Sequence, residues 1–368
     1  MTRASLVGLF APIAAAALGC AAISGLSSFD ELSSLPQTEA GADAQSEAGD
    51  MCAVPLVGTD VWQPTELPGR SSEYEAFGGV IADLDVDGFQ DIVYANQLTQ
   101  NLSVFYGRGN GTFETILDYP SKRFGSAQGP AFGDVDGDGL PDLVVASNGD
   151  LNCCPADVFV LRNLGGRKLG APMGITQGDR PQDVALVDAD GNGRPDLLVA
   201  LDSKSCTALR INTATVKGEY AFADAVCLQK PRFQDAKRFD VEGDGRSELL
   251  AIVAPASTLE IGRFALDGLS INLTKIETTA FVNISRLQVV DLNHDAFGDF
   301  LVYGSREFAS ELVAYYGRGD GKFDECVIAR LVPQFAAAGF LNMDDRIDLT
   351  SASLASEQLS HFYVMIQR

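Results

Sequence analysis

Histidine and tryptophan are scarce in this chain of 368 residues, which contains two histidines and one tryptophan. His294 falls inside an acidic loop and His361 at the start of the last predicted strand, so no histidine cluster is available for zinc or general-base chemistry. The nucleophile elbow, the phosphate-binding loop and the dinucleotide fingerprint are absent from the sequence. A single tryptophan argues against a sugar-stacking lectin. We therefore expect no catalytic residues and no enzyme activity.

Basic residues are also in short supply, with 27 Lys and Arg against 50 Asp and Glu and a net charge of −23. This balance argues against nucleic acid or an anionic membrane surface as a partner. The sequence also lacks an apolar run long enough to form a transmembrane helix. The expected partner is an unidentified protein or glycan, the expected state is a monomer, and the membrane is reached only through a lipid anchor.

Residues 1–20 have the features of an export signal, with Arg3 at the start and a short apolar run at 6–18. The run ends in Ala-Leu-Gly-Cys20, which is similar to a bacterial lipobox and predicts lipidation of Cys20. Ordinary cleavage near residues 14–17 is the alternative. The protein is thus expected at the outer membrane, at the cell surface or in the periplasm as a lipoprotein, or else free after secretion.

Residues 21–51 are rich in Ser, Ala, Gly and acidic residues and have no periodic apolar face, so they are predicted to be a disordered linker. Residues 52–368 form the predicted folded domain. Six cysteines fall in this domain, and an even count in an exported protein predicts disulfides. Cys206 and Cys227 flank a predicted hairpin and are the favoured pair. The other candidates are a Cys52–Cys326 pair and the adjacent Cys153 and Cys154.

Acidic loops of nine residues organise the folded domain. The second loop, residues 134–142, has glycine at position six and aspartate at positions one, three, five and nine: Asp134, Asp136, Asp138 and Asp142. Calcium takes six to eight oxygen ligands, so alternate carboxylates around a tight glycine turn are typical of a calcium site. The flanking residues are short apolar and β-branched runs, which predict strands instead of the helices of an EF-hand.

Two further loops repeat this pattern in full. The first, residues 83–91, carries Asp83, Asp85, Asp87 and Asp91, and the third, residues 188–196, carries Asp188, Asp190, Asn192 and Asp196. Position seven is expected to contribute its backbone carbonyl oxygen, from Phe89, Leu140 and Arg194 in the three loops. Calcium is therefore the predicted cofactor of loops one to three.

Three later loops are eroded versions of the pattern. Loop four, residues 240–248, keeps Asp240, Glu242, Asp244 and Glu248, and loop five, residues 291–299, keeps Asp291, Asn293, Asp295 and Asp299 but has no turn glycine. Loop six, residues 340–348, has also lost the first ligand. Loops four and five are weaker candidate sites, and a turn without metal is the alternative for all three.

The loops begin at residues 83, 134, 188, 240, 291 and 340, so one unit of about 51 residues is repeated. In the first unit the predicted strands are 77–82, 91–96, 102–106 and 112–118. Glycine-rich turns at 106–111 and 316–321 join the third and fourth strands of their units. Repeated four-stranded antiparallel units predict an all-β propeller.

The Phe-Gly-Gly or Phe-Gly-Asp segment before a loop, the acidic loop itself and the Tyr-Gly-x-Gly-x-Gly-x-Phe hairpin after it resemble FG-GAP and VCBS repeats. These repeats build the propeller of integrin α subunits. The resemblance implies that the metal loops lie on one face of the ring. Six loops predict six blades, with seven as the alternative, and residues 54–62 are expected to complete the last blade and close the ring.

The functional prediction is a non-catalytic calcium-binding module for recognition or adhesion outside the cytoplasm. The alternative is a secreted carbohydrate-active protein, a lectin, lyase or hydrolase, that uses the funnel at the centre of the propeller.

Overall fold

The structure is a computed structural model that describes most of the second of two compact units, Ala40–Arg368. The described residues are 62–67, 76–96, 100–114, 117–120, 130–149, 156–175, 180–201, 206–228, 233–243, 248–253, 258–264, 270–295, 297–306, 309–330, 337–342, 347–354 and 360–367. The predicted signal, the linker, Cys20, Cys52, Cys153, Cys154 and Asp244 lie outside them.

Antiparallel strands account for all the regular structure in these ranges. The first strand, β1 (Trp62–Glu66), belongs to a sheet described below, and blade one comprises β2 (Ala76–Ala82), β3 (Asp91–Asn96), β4 (Asn101–Phe105) and β5 (Leu117–Pro120). Blade two comprises β6 (Ala131–Gly133), β7 (Asp142–Ser147), β8 (Asp157–Leu161) and β9 (Met173–Gly174). Blade three comprises β10 (Pro181–Val187), β11 (Asp196–Leu201), β12 (Cys206–Arg210) and β13 (Val226–Leu228).

Two more blades of the same order follow. Blade four comprises β14 (Phe233–Phe239), β15 (Glu248–Val253), β16 (Thr258–Phe264) and β17 (Ile271–Lys275). Blade five comprises β18 (Asn283–Val289), β19 (Phe300–Arg306), β20 (Ala309–Gly317) and β21 (Phe323–Arg330). Each of the five blades is therefore built from four consecutive strands.

A further four-stranded sheet, here called the terminal sheet, joins the two ends of the described chain. It has the order β1 (Trp62–Glu66), β24 (Ser360–Gln367), β23 (Asp348–Leu354) and β22 (Ala337–Gly339). Strand β1 pairs with β24 in antiparallel register, for example Thr65 with Val364. Residues 54–61 of the predicted closing strand lie outside the described residues, and Trp62, its last residue, pairs with Gln367.

The second strand of blades one to four is buried on both faces. In β3, β7, β11 and β15 every residue is buried, whereas the fourth strand β17 is mostly exposed or half-buried. Strands buried on both faces read as continuous apolar runs, which explains segments such as Leu-Val-Val-Ala after loop two. The fold is thus the predicted all-β propeller of four-stranded antiparallel blades.

The core lies between neighbouring blades. Val93 and Val104 of blade one, for example, share a buried cluster with Val145 and Phe159 of blade two. Equivalent clusters join blades two and three, three and four, and four and five. Blade one also packs against the terminal sheet, where Tyr94 and Phe105 share a cluster with Ala337 and Leu341. Each blade therefore depends on its neighbours for burial of its apolar side chains.

One strand of the first repeat was predicted wrongly. The fourth strand was expected at 112–118, but β5 covers Leu117–Pro120. Residues 112–114 instead complete the turn, because the Arg108 N–H donates to Thr112 O and the Glu114 N–H donates to Tyr106 O. The described residues contain no helix that could span a membrane.

The predicted Cys206–Cys227 disulfide is confirmed, with a Cα–Cα distance of 6.0 Å. It links β12 to β13, which pair through Ala208 and Cys227. Cys326 is also disulfide-bonded, and its predicted partner Cys52 lies outside the described residues.

Removing the Cys206–Cys227 bond should destabilise blade three. The bond closes a separation of 21 residues, for which loss of the constraint on the unfolded chain costs about 3 kcal/mol. We expect the double variant Cys206→Ser/Cys227→Ser to lose that amount of unfolding free energy in denaturant titrations. Val226→Ser, at an exposed neighbour, is the control. Equal stability of the double variant and the wild type would contradict the prediction.

Candidate metal centres

The carboxylate at position nine holds each acidic loop in shape. Its Oδ2, or Oε2 in loop four, accepts the backbone N–H of position two in all six loops. The donor and acceptor pairs are Leu84–Asp91 (2.8 Å), Val135–Asp142 (3.0 Å), Ala189–Asp196 (2.8 Å), Val241–Glu248 (3.1 Å), Leu292–Asp299 (2.9 Å) and Leu341–Asp348 (2.8 Å). The last position of the motif therefore has a structural role even in the eroded loops.

The other oxygen of this carboxylate binds the hairpin between the third and fourth strands. Asp91, Asp142, Asp196 and Asp299 accept N–H groups from Gly107 (2.8 Å), Asn163 (2.8 Å), Asn212 (2.7 Å) and Gly317 (2.7 Å), respectively. Each of the four carboxylates thus ties its loop to the hairpin beside it. The glycine that opens the Tyr-Gly-x-Gly turn was the available sequence signal for this contact, and it was missed.

Glycine at this hairpin position in blades one and five allows a close approach. A Cβ on Gly107 would lie 2.1 Å from Gln90 O, and one on Gly317 would lie 2.4 Å from Gly298 O. Blades two and three have asparagine there instead. Asn163 Nδ2 donates to Leu84 O of loop one (2.6 Å), and Asn212 Nδ2 donates to Val135 O of loop two (2.9 Å). These asparagines therefore link each loop to the following blade.

Three groups of acidic side chains have the geometry of a metal site. In each group, one carboxylate oxygen per residue lies within 4.8 Å of the others. The groups are Asp83, Asp85 and Asp91; Asp134, Asp136 and Asp142; and Asp188, Asp190 and Asp196. These are positions one, three and nine of the three loops that retain the full motif. Loops four to six contain no such group among their described residues.

Position five lies outside these three groups. Asp87 Oδ1 accepts the N–H of Phe89 (2.9 Å), Asp138 Oδ1 that of Leu140 (2.9 Å), and Asn192 Oδ1 that of Arg194 (2.7 Å). These contacts form the tight turn that brings position seven around the loop. Metal binding by position five, and by the backbone carbonyls of position seven, stays a prediction.

Buried oxygens without a partner provide a test of whether a cation fits. Asp85 Oδ1, Asp134 Oδ1 and Asp188 Oδ1 are buried and accept no hydrogen bond. Leaving a buried carboxylate oxygen unsatisfied is costly. Each of the three complete loops contains one of these oxygens. An all-oxygen donor set of this kind suits a hard cation such as Ca²⁺, so the residues present fit the predicted metal.

Burial also disfavours the charged form of position nine. It raises the pKa of Asp91 to about 7 and the pKa values of Asp142 and Asp196 to about 6, although hydrogen bonds from backbone amides lower them. The neighbouring aspartates of each loop raise these pKa values further. A divalent cation would favour the charged carboxylates.

Arginines partly compensate the negative charge of loops one and two. Arg162 Nε lies 2.5 Å from Asp136 Oδ2, and Arg167 Nε lies 2.5 Å from Asp85 Oδ2. Arg167 comes from blade two, pairs with Glu114 of blade one at 2.7 Å, and lies over the Tyr106 ring. In loop three, Asp190 Oδ2 instead accepts a bond from the Asn192 amide (3.1 Å). Neither arginine contact was predicted from the sequence.

The weaker candidate loops have other arrangements. In loop four, Glu242 pairs with Arg263. In loop five, Asp291 accepts the N–H of His294 (2.7 Å), and Asn293 Nδ2 donates to Asp295 (2.9 Å). The ring of His294 lies against Phe340 at 5.3 Å. The described residues of loops four and five therefore do not bring their acids together as loops one to three do.

Position four of the loop requires a left-handed backbone. Gly137, Gly191 and Gly243 occupy it in loops two to four with φ between 69° and 74°, but Val86 has φ 60° and His294 has φ 59°. A β-branched residue in this region is strained. Val86 is also 56% exposed, so its side chain gains little from burial.

Comparisons with known proteins agree with this geometry. Residues 83–145 and 134–199 match the family of FG-GAP-like repeats. The two matches span loops one to three and the strands between them. Residues 83–199 therefore contain FG-GAP-like repeats, and the propeller of four-stranded antiparallel blades supports the interpretation of the chain as an FG-GAP repeat β-propeller.

The other comparisons add little to this identification. A search of curated proteins finds no match. Among solved structures, the chain is similar to one described as "Crystal structure of BBS1N in complex with ARL6DN, soaked with mercury". The TM-score is 0.47 and the identity 13%, over 83% of this chain and 97% of that chain.

Relieving the strain at Val86 should stabilise the protein. Val86→Gly is expected to raise the free energy of unfolding by about 1 kcal/mol, because left-handed backbone strain of about 1–3 kcal/mol is partly offset by the flexibility of glycine. Thermal melting in EDTA is the measurement. Val86→Ala keeps a Cβ and should gain less. A Val86→Gly variant less stable than the wild type would disprove the strain.

Position nine of loop five should matter without any metal. Asp299→Asn removes one of two acceptors for the N–H groups of Leu292 and Gly317, and should cost about 2–3 kcal/mol of unfolding free energy. We expect the same loss in calcium and in EDTA. Asp295→Asn is the control, because Asp295 is exposed, its Oδ1 still accepts the N–H of Phe297, and only the exposed bond from Asn293 Nδ2 is lost. Equal unfolding free energies for the two variants would exclude the structural role.

Proposed function

We propose that this FG-GAP repeat β-propeller is a calcium-binding module that acts outside the cytoplasm in recognition or adhesion. The observation that carries the proposal is the coincidence, in three repeats, of a carboxylate triad with a buried oxygen that has no partner. Asp83, Asp134 and Asp188 at position one, with the third and ninth positions of each loop, would hold the ion. When bound, the ion supplies positive charge that pins two strands of a blade together.

A non-catalytic role is part of the proposal. The position-nine acids accept backbone hydrogen bonds, and two of the position-three acids are paired with arginine. Carboxylates held in this way support a loop and are poorly placed to exchange protons with a substrate. The acids of the loops therefore favour metal binding over hydrolysis.

Export is supported by the Cys206–Cys227 disulfide, because such bonds persist in oxidising compartments. Together with the export-signal features of residues 1–20, it favours a location outside the cytoplasm. Lipidation of Cys20 would then place the propeller at a membrane surface through the linker.

We also propose that the ring has six blades and that β1 closes it. The pairing of β1 with β24 supports this arrangement, since it brings the first and the last described strands into one sheet. Contacts between the terminal sheet and blade one support it further: the Gly111 N–H donates to Leu341 O (3.1 Å), and Asn110 forms a bridge with Asn342. A ring closed in this way leaves no open sheet edge between blades.

Calcium should stabilise the protein through three sites. We expect titration calorimetry to give about three ions per chain, one for each triad, and the melting temperature to fall by several degrees in EDTA. Asp134→Asn should remove one site and part of the melting shift, because Asp134 holds the unpartnered oxygen of loop two. Asp291→Asn in loop five is the matched control. A melting curve that is the same in calcium and in EDTA would rule out the calcium role.

A further inference from the structure

A cavity of about 650 Å³ lies among the first strands of blades one to five. These strands contact one another in order around the ring, so the cavity occupies the centre of the described propeller. Its volume falls in the range of about 300–1,000 Å³ that is common for small-molecule sites. The lining is not symmetric, because equivalent positions of the repeat carry different residues in different blades.

Basic residues gather on one side of the cavity. Lys237 and Arg238 on β14 and Arg286 on β18 all line it. Arg238 is exposed and forms no ion pair with any residue in the described part of the chain. Three basic residues outnumber the two aspartates on this side of the cavity, Asp183 and Asp235, so this side can attract an anion.

The two aspartates beside this cluster are already engaged within the protein. Asp235 Oδ1 pairs with Lys237 Nζ at 2.5 Å, and Asp235 Oδ2 accepts the N–H of Leu287 in the next blade (3.0 Å). Asp183 Oδ2 accepts the N–H of Ala236, also in the next blade (3.3 Å). Because these carboxylates link neighbouring blades, Arg238 remains free to bind a ligand.

Neutral hydrogen-bonding groups line the same cavity. Gln182 and Gln234 occupy equivalent positions, at the bulges where β10 and β14 change register. A carboxamide both donates and accepts hydrogen bonds, as a hydroxyl group does, so two of them in neighbouring blades suit a hydroxylated ligand.

An apolar surface completes the lining. Phe132 is 36% exposed and lines the cavity. It precedes the first residue of loop two by two positions, as Arg238 precedes that of loop four. Phe132 and Arg238 therefore occupy equivalent positions of the repeat, in blades two and four. An aromatic ring at this level can pack against the C–H face of a sugar ring.

We propose that the central cavity binds a sugar acid, with Arg238 on the carboxylate, the glutamines on the hydroxyl groups and Phe132 against the ring. The inference rests on the proposed recognition role and names a ligand class for it. A planar guanidinium is well suited to bind a carboxylate through two parallel hydrogen bonds.

Titration calorimetry with D-galacturonate, and with D-galactose as its neutral counterpart, tests the proposal on the full chain in calcium. We expect galacturonate to bind and galactose to bind at least about tenfold more weakly, since a hydrogen bond to a charged group contributes about 1.5–3 kcal/mol. Arg238→Gln should weaken galacturonate binding by a similar factor. Arg108→Gln, at an exposed arginine outside the cavity, should bind as the wild type does.

Three results would overturn the proposal: no binding of galacturonate, equal binding of both sugars, or unchanged binding by Arg238→Gln. The melting shift caused by calcium, measured on the same samples, distinguishes failure of the ligand assignment from failure of the calcium role. If calcium stabilises the protein and galacturonate does not bind, only the ligand assignment fails. If calcium has no effect, the calcium role fails whatever the sugar does.

Discussion

A buried carboxylate at the end of each acidic loop is the constraint on which the repeat depends. In the four blades where both oxygens bind backbone N–H groups, one residue fixes the loop and the neighbouring hairpin together. Burying a charged group is expensive unless it is well hydrogen-bonded, so the two backbone donors in these four blades stabilise the buried carboxylate. The candidate metal ligands at positions one and three therefore belong to a loop that is already held in shape.

Residues at the same position of the repeat make different contacts in different blades. At the hairpin, glycine in blades one and five permits close backbone contact, whereas asparagine in blades two and three reaches the loop of the preceding blade. In the first strands, Asp183 and Asp235 bridge to the next blade, and Arg286 stands at the equivalent position of blade five. Sequence differences between the repeats thus provide contacts that join neighbouring blades.

The sequence was sufficient to predict the parts of the structure that recur. A fixed spacing and a loop of alternate carboxylates located the triads of blades one to three, and apolar runs located the buried second strands. The pairing of Arg167 with Asp85 could not be predicted, because the two residues are 82 positions apart and meet only when two blades pack. The fourth strand of blade one was predicted to begin too early, at residue 112 instead of 117. The length of the hairpin turn before it depends on how this strand pairs with the third strand, which the sequence does not give.

The carboxylate triads and the basic residues of the cavity lie in different blades. Blades one to three keep the triads, while Lys237, Arg238 and Arg286 come from blades four and five, whose loops have lost that arrangement in the described residues. A ring of identical repeats would present identical groups around its centre and could not orient an asymmetric ligand. Loss of the motif in blades four and five, together with the basic residues on their inner strands, gives the cavity a basic side that differs from the side of blade two, where Phe132 lies. That asymmetry is what recognition of a single small molecule requires.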